Sequence, residues 1–266
     1  MCLIVFDWRP GSETPLRLAA NRDEFHARPT AALQRWKDKP DILGGRDLRA
    51  GGTWLAAHGR GRLAAVTNVR APAFEAPADG PSRGELVRQA LECATLKSWL
   101  AELTQTRARR YAGFNLLVSD GDTLWHLHHG PSATRLLEVA PGVHGLSNAS
   151  LDTPWPKLLC SRERLANVIA DVAADDDDTF AAKAWSLMAD ERPAEDARLP
   201  DTGVSLDLER FLSAPFIVGE EYGTRASTWV SWQAEGNLTI GERSFGPLGR
   251  LLDERRERLA MPLLPI

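Results

Sequence analysis

What most constrains this chain is the spacing of its short apolar runs, which turn back on themselves across tight links from the first residues onward. Leu3 to Phe6 is an uninterrupted apolar run of strand length, Arg9-Pro10-Gly11-Ser12 is a turn, and Leu16 to Ala20 is the return. Strands joined by so short a link pair antiparallel. A hairpin symmetric about Ser12 places Cys2 opposite Arg22. That pairing sets a guanidinium beside a thiol, which favours the thiolate and is expected to lower its pKa below the usual value of about 8.5.

Residue 2 is small enough for methionine aminopeptidase to remove Met1, so the expected mature chain begins at Cys2. A terminal cysteine carries its own base, because its α-amine has a pKa of about 8 and lies a few bonds from the thiol. Taken alone, a cysteine on a first strand is usually a small buried hydrophobe. The polar run Asn21-Arg22-Asp23-Glu24 shifts the balance, since it falls where the second strand ends against Cys2. As a solvated turn, the run would not require that register.

Further along, Phe25 to Asp41 reads as irregular and Pro-punctuated. Gly51 to Ala57 reads as a strand, His58 to Arg62 as a turn and Leu63 to Asn68 as the return. Centred on Arg60, this hairpin brings Gly52 and Thr53 level with Thr67 and Asn68. Ala71 to Gly80 reads as a loop and a candidate lid. Ser82-Arg83-Gly84-Glu85 is a capping-box pattern, and a second helix carries Trp99, Leu100 and Leu103. Strands are expected over Phe114 to Ser119, Thr123 to His129, Arg135 to Val139 and Val143 to Ser147. Leu158 to Ala173 reads as a helix, followed by a solvated acidic run, Asp175 to Asp178, and a further helix through Trp185. A short helix is expected at Glu209 to Leu212. A last hairpin covers Thr224 to Trp232 and Leu238 to Phe245, and the closing Pro-rich tail carries no signal. Tight-turn strand pairs with helices in separate blocks describe an α+β chain of stacked antiparallel sheets between helical layers. Without repeat or linker, 1–266 reads as a single domain.

Composition narrows the function. The apolar fraction of 43% and charged fraction of 26% are ordinary for a globular protein. A net charge of −4 without a basic run argues against a nucleic-acid surface. Cys2, Cys93 and Cys160 are too dispersed for a disulfide framework or zinc spacing, and Cys93 and Cys160 read as buried helical thiols. No basic region precedes the first apolar run, and Asp7 interrupts it. The expectation is a cytoplasmic chain without secretory leader or integral membrane segment. His126 and His128 share a strand face with His129 nearby, yet no carboxylate or cysteine pattern accompanies them, so no metal site is expected. The nine tryptophans serve core packing by default.

The residues able to do chemistry at strand ends are Cys2, Asn21, Arg22, Asp23, Glu24, Asn68, Asn148 and Arg225. An amidase or thioesterase needs such an inventory: a nucleophile, an internal base and neutral donors for an oxyanion. Gly52, Thr53, Trp54 and His26 are candidate ligand contacts beside them.

These blocks, together with Gly51-Gly52-Thr53-Trp54-Leu55, Ser82 to Leu86, Gly145 to Asn148, Leu151 to Lys157 and Tyr222 to Thr228, resemble the NRDE family, also called the transport and Golgi organisation protein 2 family. That family is similar to the cysteine N-terminal-nucleophile hydrolases, among them bile salt hydrolases and penicillin V acylases. The resemblance implies a four-layer αββα sandwich of antiparallel sheets. It implies Cys2 as nucleophile and base, Arg22 and Asp23 holding thiolate and amine, Asn68 and Asn148 serving the oxyanion, and Arg225 supporting the acid or the substrate. In those hydrolases the arginine and aspartate are separated, whereas Arg22 and Asp23 are adjacent, and neighbours on a strand face opposite ways. Either the strand ends before Asp23, or Glu24 or Asn21 takes one of the roles. The family is also associated with haem mobilisation and acyl-coenzyme A or lipid handling. The expected partner is therefore a small molecule: an acyl or amide substrate, or acyl-coenzyme A or haem carried as cargo. No cofactor is expected to be required.

Overall fold

The computed structural model describes residues 2–74, 77 and 79–264. The first hairpin forms as the turn symmetry predicts. β1 (Cys2–Trp8) and β2 (Leu16–Phe25) pair antiparallel with Cys2 opposite Arg22. β1 also pairs with β10 (Gly142–Leu146), and β2 with β11 (Tyr222–Gln233). β12 (Asn237–Phe245) and β13 (Leu251–Ala260) complete a six-stranded sheet of order β10-β1-β2-β11-β12-β13.

The second sheet has seven strands in chain order: β3 (Thr30–Trp36), β4 (Lys39–Asp47), β5 (Leu55–His58), β6 (Arg62–Asn68), β7 (Phe114–Ser119), β8 (Leu124–His129) and β9 (Thr134–Glu138). Every strand pairing in both sheets is antiparallel.

Strand parity separates the layers. On β1 and β2 the even residues Ile4, Phe6, Trp8, Leu16, Leu18 and Ala20 enter the core between the sheets. The odd residues Leu3, Val5 and Ala19 pack beneath α3 (Pro156–Asp171) and α4 (Asp177–Met188). On the opposite side, α1 (Gly84–Glu92) and α2 (Leu96–Glu102) cover the seven-stranded sheet through Leu86, Val87, Ala90, Leu100 and the outer faces of β5 to β7. A short α5 (Leu206–Phe211) precedes β11. The order is helix, sheet, sheet, helix, the expected αββα sandwich. Burying each large apolar side chain in these three cores stabilises the fold by about 1.5–3 kcal/mol. Trp8, Trp36, Trp229 and Trp232 are among the largest fully buried side chains.

Several expectations require correction. The segment read as irregular after Phe25 contains the β3–β4 hairpin, whose register shifts twice and therefore lacks a clean period-two pattern. The closing segment contains β13, an exposed edge strand whose charged side chains leave no apolar alternation to read, as befits an edge that must resist pairing. The strand expected from Gly51 begins only at Leu55, although its register is centred on Arg60 as predicted. The capping box does not close: Ser82 Oγ accepts from the Gly84 N–H at 3.4 Å, while Glu85 accepts from the Tyr111 hydroxyl at 2.5 Å and from Gln89. Cys160 is exposed and Cys93 lies just past α1. Asp177 of the acidic run is buried, and Asp176 caps α4. Residues 75, 76 and 78 of the candidate lid lie outside the described residues. Among the described residues no helix is long and apolar enough to cross a membrane.

Candidate active site

The open ends of β1, β2 and β6 meet the start of α1 around a cavity of about 110 Å³. Its wall includes Cys2, Arg22, Asp23, Glu24, Thr53, Trp54 and Asn68, all expected from the sequence. It also includes Arg28, Asp47 and Arg83, which were not. A larger cavity of about 560 Å³ lies at the other end of the first hairpin, around Thr14 and Ala174, and its lining holds no nucleophile.

Cys2 is fixed by its backbone. It faces Arg22 in the ladder, and its carbonyl accepts from Ser147 Oγ at 3.0 Å. Ser147 is itself held, its carbonyl accepting from Thr67 Oγ1 at 2.6 Å. The thiol does not behave as the arginine alone would dictate. Burial raises its pKa and Asp23 adds to the rise; the cation of the chain's terminal amine, then Arg22 and the Asp23 backbone N–H, pull the other way and do not prevail. The direction differs from the expected lowering because desolvation of a thiolate outweighs both neighbouring cations, the terminal amine and Arg22. Such a thiol requires a base.

The adjacency of Arg22 and Asp23 resolves by parity, since β2 runs on to Phe25. Arg22 keeps the parity of the inter-sheet core and lays its guanidinium over the Trp54 ring, 4.6 Å from the centroid. The six-membered part of that ring is seated on Gly45, where a Cβ would come within 2.1 Å of it, so any side chain there would displace the indole. Asp23 takes the opposite parity, is 3% exposed, and accepts from Thr224 Oγ1 at 2.8 Å. Burial raises the Asp23 pKa, against the pull of the chain's terminal amine, Lys157, Thr224 and Arg22. Lys157, on the first turn of α3, is 4% exposed and donates to the Leu212 carbonyl at 2.9 Å. Its pKa is brought down to about 8 by burial, with Asp23 the chief opposing influence. A buried carboxyl and a buried amine, each drawn by burial towards its neutral form, therefore stand behind the nucleophile.

Glu24 links the cavity cations, 3.7 Å from Arg22 and 3.9 Å from Arg28, while Arg28 pairs with Asp47 at 2.6 Å. Gly52 has a packing role: a Cβ there would meet the Gly84 backbone at 2.4 Å, so its absence lets the β5 approach dock on the start of α1. Thr53 N–H donates to the Gly84 carbonyl across that contact at 3.1 Å.

Other expected site residues lie elsewhere. Asn21 has the helix-side parity, and its amide donates to the carbonyls of Met188 and Pro215 while accepting from Ser227. Asn148 is 1% exposed and donates to the Asn68 carbonyl at 2.9 Å, so it holds Asn68 in the wall without lining it. Arg225 sits at a bulge in β11, its Nη1 donating to the carbonyls of Phe25, His26 and Arg28. It shapes the loop that carries Arg28. His26 lies on that loop, outside the wall. His126 and His128 both bond Asn115 Oδ1, and His129 bonds Thr134. Among the described residues no group of three or more His, Cys, Asp or Glu side chains is placed to hold a metal.

Of the residues around the cavity that the sequence did not point to, Arg83 and Lys157 each left a signal. Arg83 places a cation at the N-cap of α1, where the helix dipole disfavours it. Lys157 interrupts the buried face of α3 with a charge.

Known proteins share this organisation. Residues 1–247 match the family described as Transport and Golgi organisation 2. A Transport and Golgi organization protein 2 homolog from Bos taurus is 34% identical over 265 residues, covering 92% of this chain and 93% of its own. The Homo sapiens homolog is 33% identical over 264 residues with the same coverage. Among solved structures, a mutant conjugated bile acid hydrolase from Clostridium perfringens superposes with a TM-score of 0.53 at 6% identity, over 97% of this chain and 92% of its own. At that identity the likeness is one of fold.

Proposed function

This chain belongs to the Transport and Golgi organisation 2 family and has the fold of an N-terminal-nucleophile hydrolase, and from that premise we propose that it is a cysteine hydrolase of an amide or acyl thioester. The observation that carries the reading is the pairing of Cys2 with Arg22 at a strand start, with Asp23 buried directly behind.

With Met1 removed, the Cys2 α-amine takes the thiol proton as sulfur attacks the substrate carbonyl carbon. The carbonyl π-electrons move to oxygen, for which Asn68, a residue of the cavity wall, is the hydrogen-bond donor in this reading. The intermediate collapses, the carbon–nitrogen or carbon–sulfur bond breaks, and the α-ammonium returns the proton to the leaving group. Water then hydrolyses the acyl-enzyme with the amine again as base. Asp23 stabilises the transient ammonium, and Lys157 draws the pKa of that buried carboxyl back down against burial. Because burial raises the thiol pKa, acylation depends on the free amine and rises with pH towards about 8.

The cavity volume favours this reading over carriage of a whole haem or acyl-coenzyme A. At about 110 Å³ it falls well below the 300–1,000 Å³ usual for sites that enclose a small molecule. A reacting headgroup fits such a space.

Intact mass after incubation with acyl thioesters and amides is the test. The mature protein should lack Met1 and gain one acyl group on Cys2, and Cys2→Ala should gain none while unfolding at the same temperature. Retention of Met1, or equal turnover by Cys2→Ala, would sink the proposal.

A further inference from the structure

We propose that the cavity at Cys2 is built for an anionic group, a carboxylate or phosphate, carried by the substrate beside the bond that is cut and held between Arg22, Arg83 and the start of α1. This inference rests on the hydrolase reading of the same site and adds the class of substrate.

The wall carries three arginines and three carboxylates, Asp23, Glu24 and Asp47, but they do not pair one to one. Arg28 is answered by Asp47 at 2.6 Å. Among the described residues Arg22 forms one ion pair, with Glu24, at 3.7 Å and so beyond hydrogen-bond distance. Its side chain is 7% exposed, and among the described residues its Nη1 has no hydrogen-bond partner. A buried guanidinium nitrogen left without an acceptor is costly unless something supplies one. Arg83 lines the same wall, and its Nη1 donates to the neutral Gly113 carbonyl at 3.2 Å. It forms no ion pair with a carboxylate among the described residues.

The third contribution comes from the backbone. α1 is nine residues long and begins at Gly84, which lines the cavity, so the positive end of the helix faces it. Arg83 at the N-cap sets a cation against that end, which costs stability in the empty protein. An anion between them turns the repulsion into two attractions. Glu24 and Asp47 hold the remaining cation in place, so the demand falls between Arg22 and Arg83.

Alkylation of Cys2 tests this with a matched pair of reagents. Iodoacetate and iodoacetamide deliver the same carbon, but only iodoacetate carries a carboxylate two bonds from the reacting site. The ratio of their rates cancels the thiolate fraction. At Cys2 the iodoacetate-to-iodoacetamide ratio should exceed that of free glutathione by about tenfold, the scale of one charge-assisted hydrogen bond. Arg83→Met should bring it down to the glutathione value while iodoacetamide still reacts, which shows that the fold and thiol survive. Arg83→Lys should restore part of the preference. Inorganic phosphate should slow iodoacetate in the parent and not in Arg83→Met. A parent ratio no higher than that of glutathione, or one unmoved by Arg83→Met, would overturn the subsite. If Cys2 reacts with neither reagent, the hydrolase reading falls. The subsite is then read by the rise in unfolding temperature that phosphate causes at constant ionic strength. That rise should be present in the parent and lost in Arg83→Met, and its absence from the parent would overturn the inference.

Discussion

Two of the polar clusters buried in this molecule are built on opposite principles. Around Cys2, titratable groups of both signs are packed together: among the described residues Arg22 Nη1 has no hydrogen-bond partner, and burial raises the pKa of Asp23 and lowers that of Lys157. Around Asn115, on β7, the groups are neutral and converge on a single amide. Asn115 Oδ1 accepts from His126 Nε2 at 3.1 Å and His128 Nδ1 at 2.7 Å, while its Nδ2 donates to Thr67 Oγ1 and to the carbonyls of Ser147 and Ala149. Burial brings the His126 pKa down to about 3, so it stays neutral at any ordinary pH. The first cluster holds chemical potential at the expense of stability; the second contributes stability and can do little chemistry. The histidines, which drew attention in the sequence as ligands, serve the frame that holds Ser147 against the Cys2 carbonyl.

Three measurements would break or sharpen this contrast. The largest effect is expected at the neutral cluster. Asn115→Ala orphans several buried partners at about 1–3 kcal/mol each, so urea unfolding should show a loss of about 3 kcal/mol or more. Iodoacetamide should still label Cys2 in the folded fraction. A loss below about 1 kcal/mol would remove the structural role assigned to the hub.

Next comes Glu242 on β12, a buried carboxyl that feels Arg22 and accepts from the Leu33 N–H at 2.7 Å. Burial raises its pKa from 4.5 to about 7. The folded state therefore keeps a proton that the unfolded chain has released. Its favourable contribution is complete below pH 4.5 and is lost as pH rises through 7. Glu242→Gln should stabilise the protein above pH 7 by up to about 3 kcal/mol, at about 1.4 kcal/mol per unit, and change little below pH 4.5. Equal effects at both pH values would mean that the carboxyl is not protonated in the fold.

The smallest effect is expected outside both clusters, at His144, whose Nδ1 meets Asp152 Oδ2 at 2.7 Å. The bond to Asp152 raises the His144 pKa. That stabilisation is present below the unfolded value of 6.5 and fades as pH rises past the folded one. His144→Ala should cost about 1 kcal/mol more at pH 6 than at pH 9, read from paired thermal melts. A pH-independent loss would reduce the pair to packing.

Much of the site was legible because one turn fixes one register. Once Arg9 to Ser12 is recognised as a turn between apolar runs, Cys2 must meet Arg22, whatever the rest of the chain does. The β5–β6 hairpin is equally local, and its symmetry about Arg60 puts Asn68 at a strand end. Strands β3, β4 and β13 were not legible, because register shifts and edge charges erase the period-two signal.

The sequence by itself determined the antiparallel class, the Cys2–Arg22 pairing and the cluster of polar groups at the end of β2, since each depends on residues close in the chain. Tertiary packing alone decided which of those groups face the nucleophile. Asn21 and Asp23 share a parity, yet Asn21 is consumed by the carbonyls of Met188 and Pro215, more than 160 residues away. Asn148 turns to the Asn68 backbone, and Arg225 to the loop after Phe25. Arg83 and Lys157 reach the site from helices on opposite sides of the sandwich, and no local pattern encodes that approach. Even the sign of the thiol shift was a tertiary matter. A neighbouring cation is visible in a sequence, but burial depends on the whole fold, and for Cys2 burial is the larger effect.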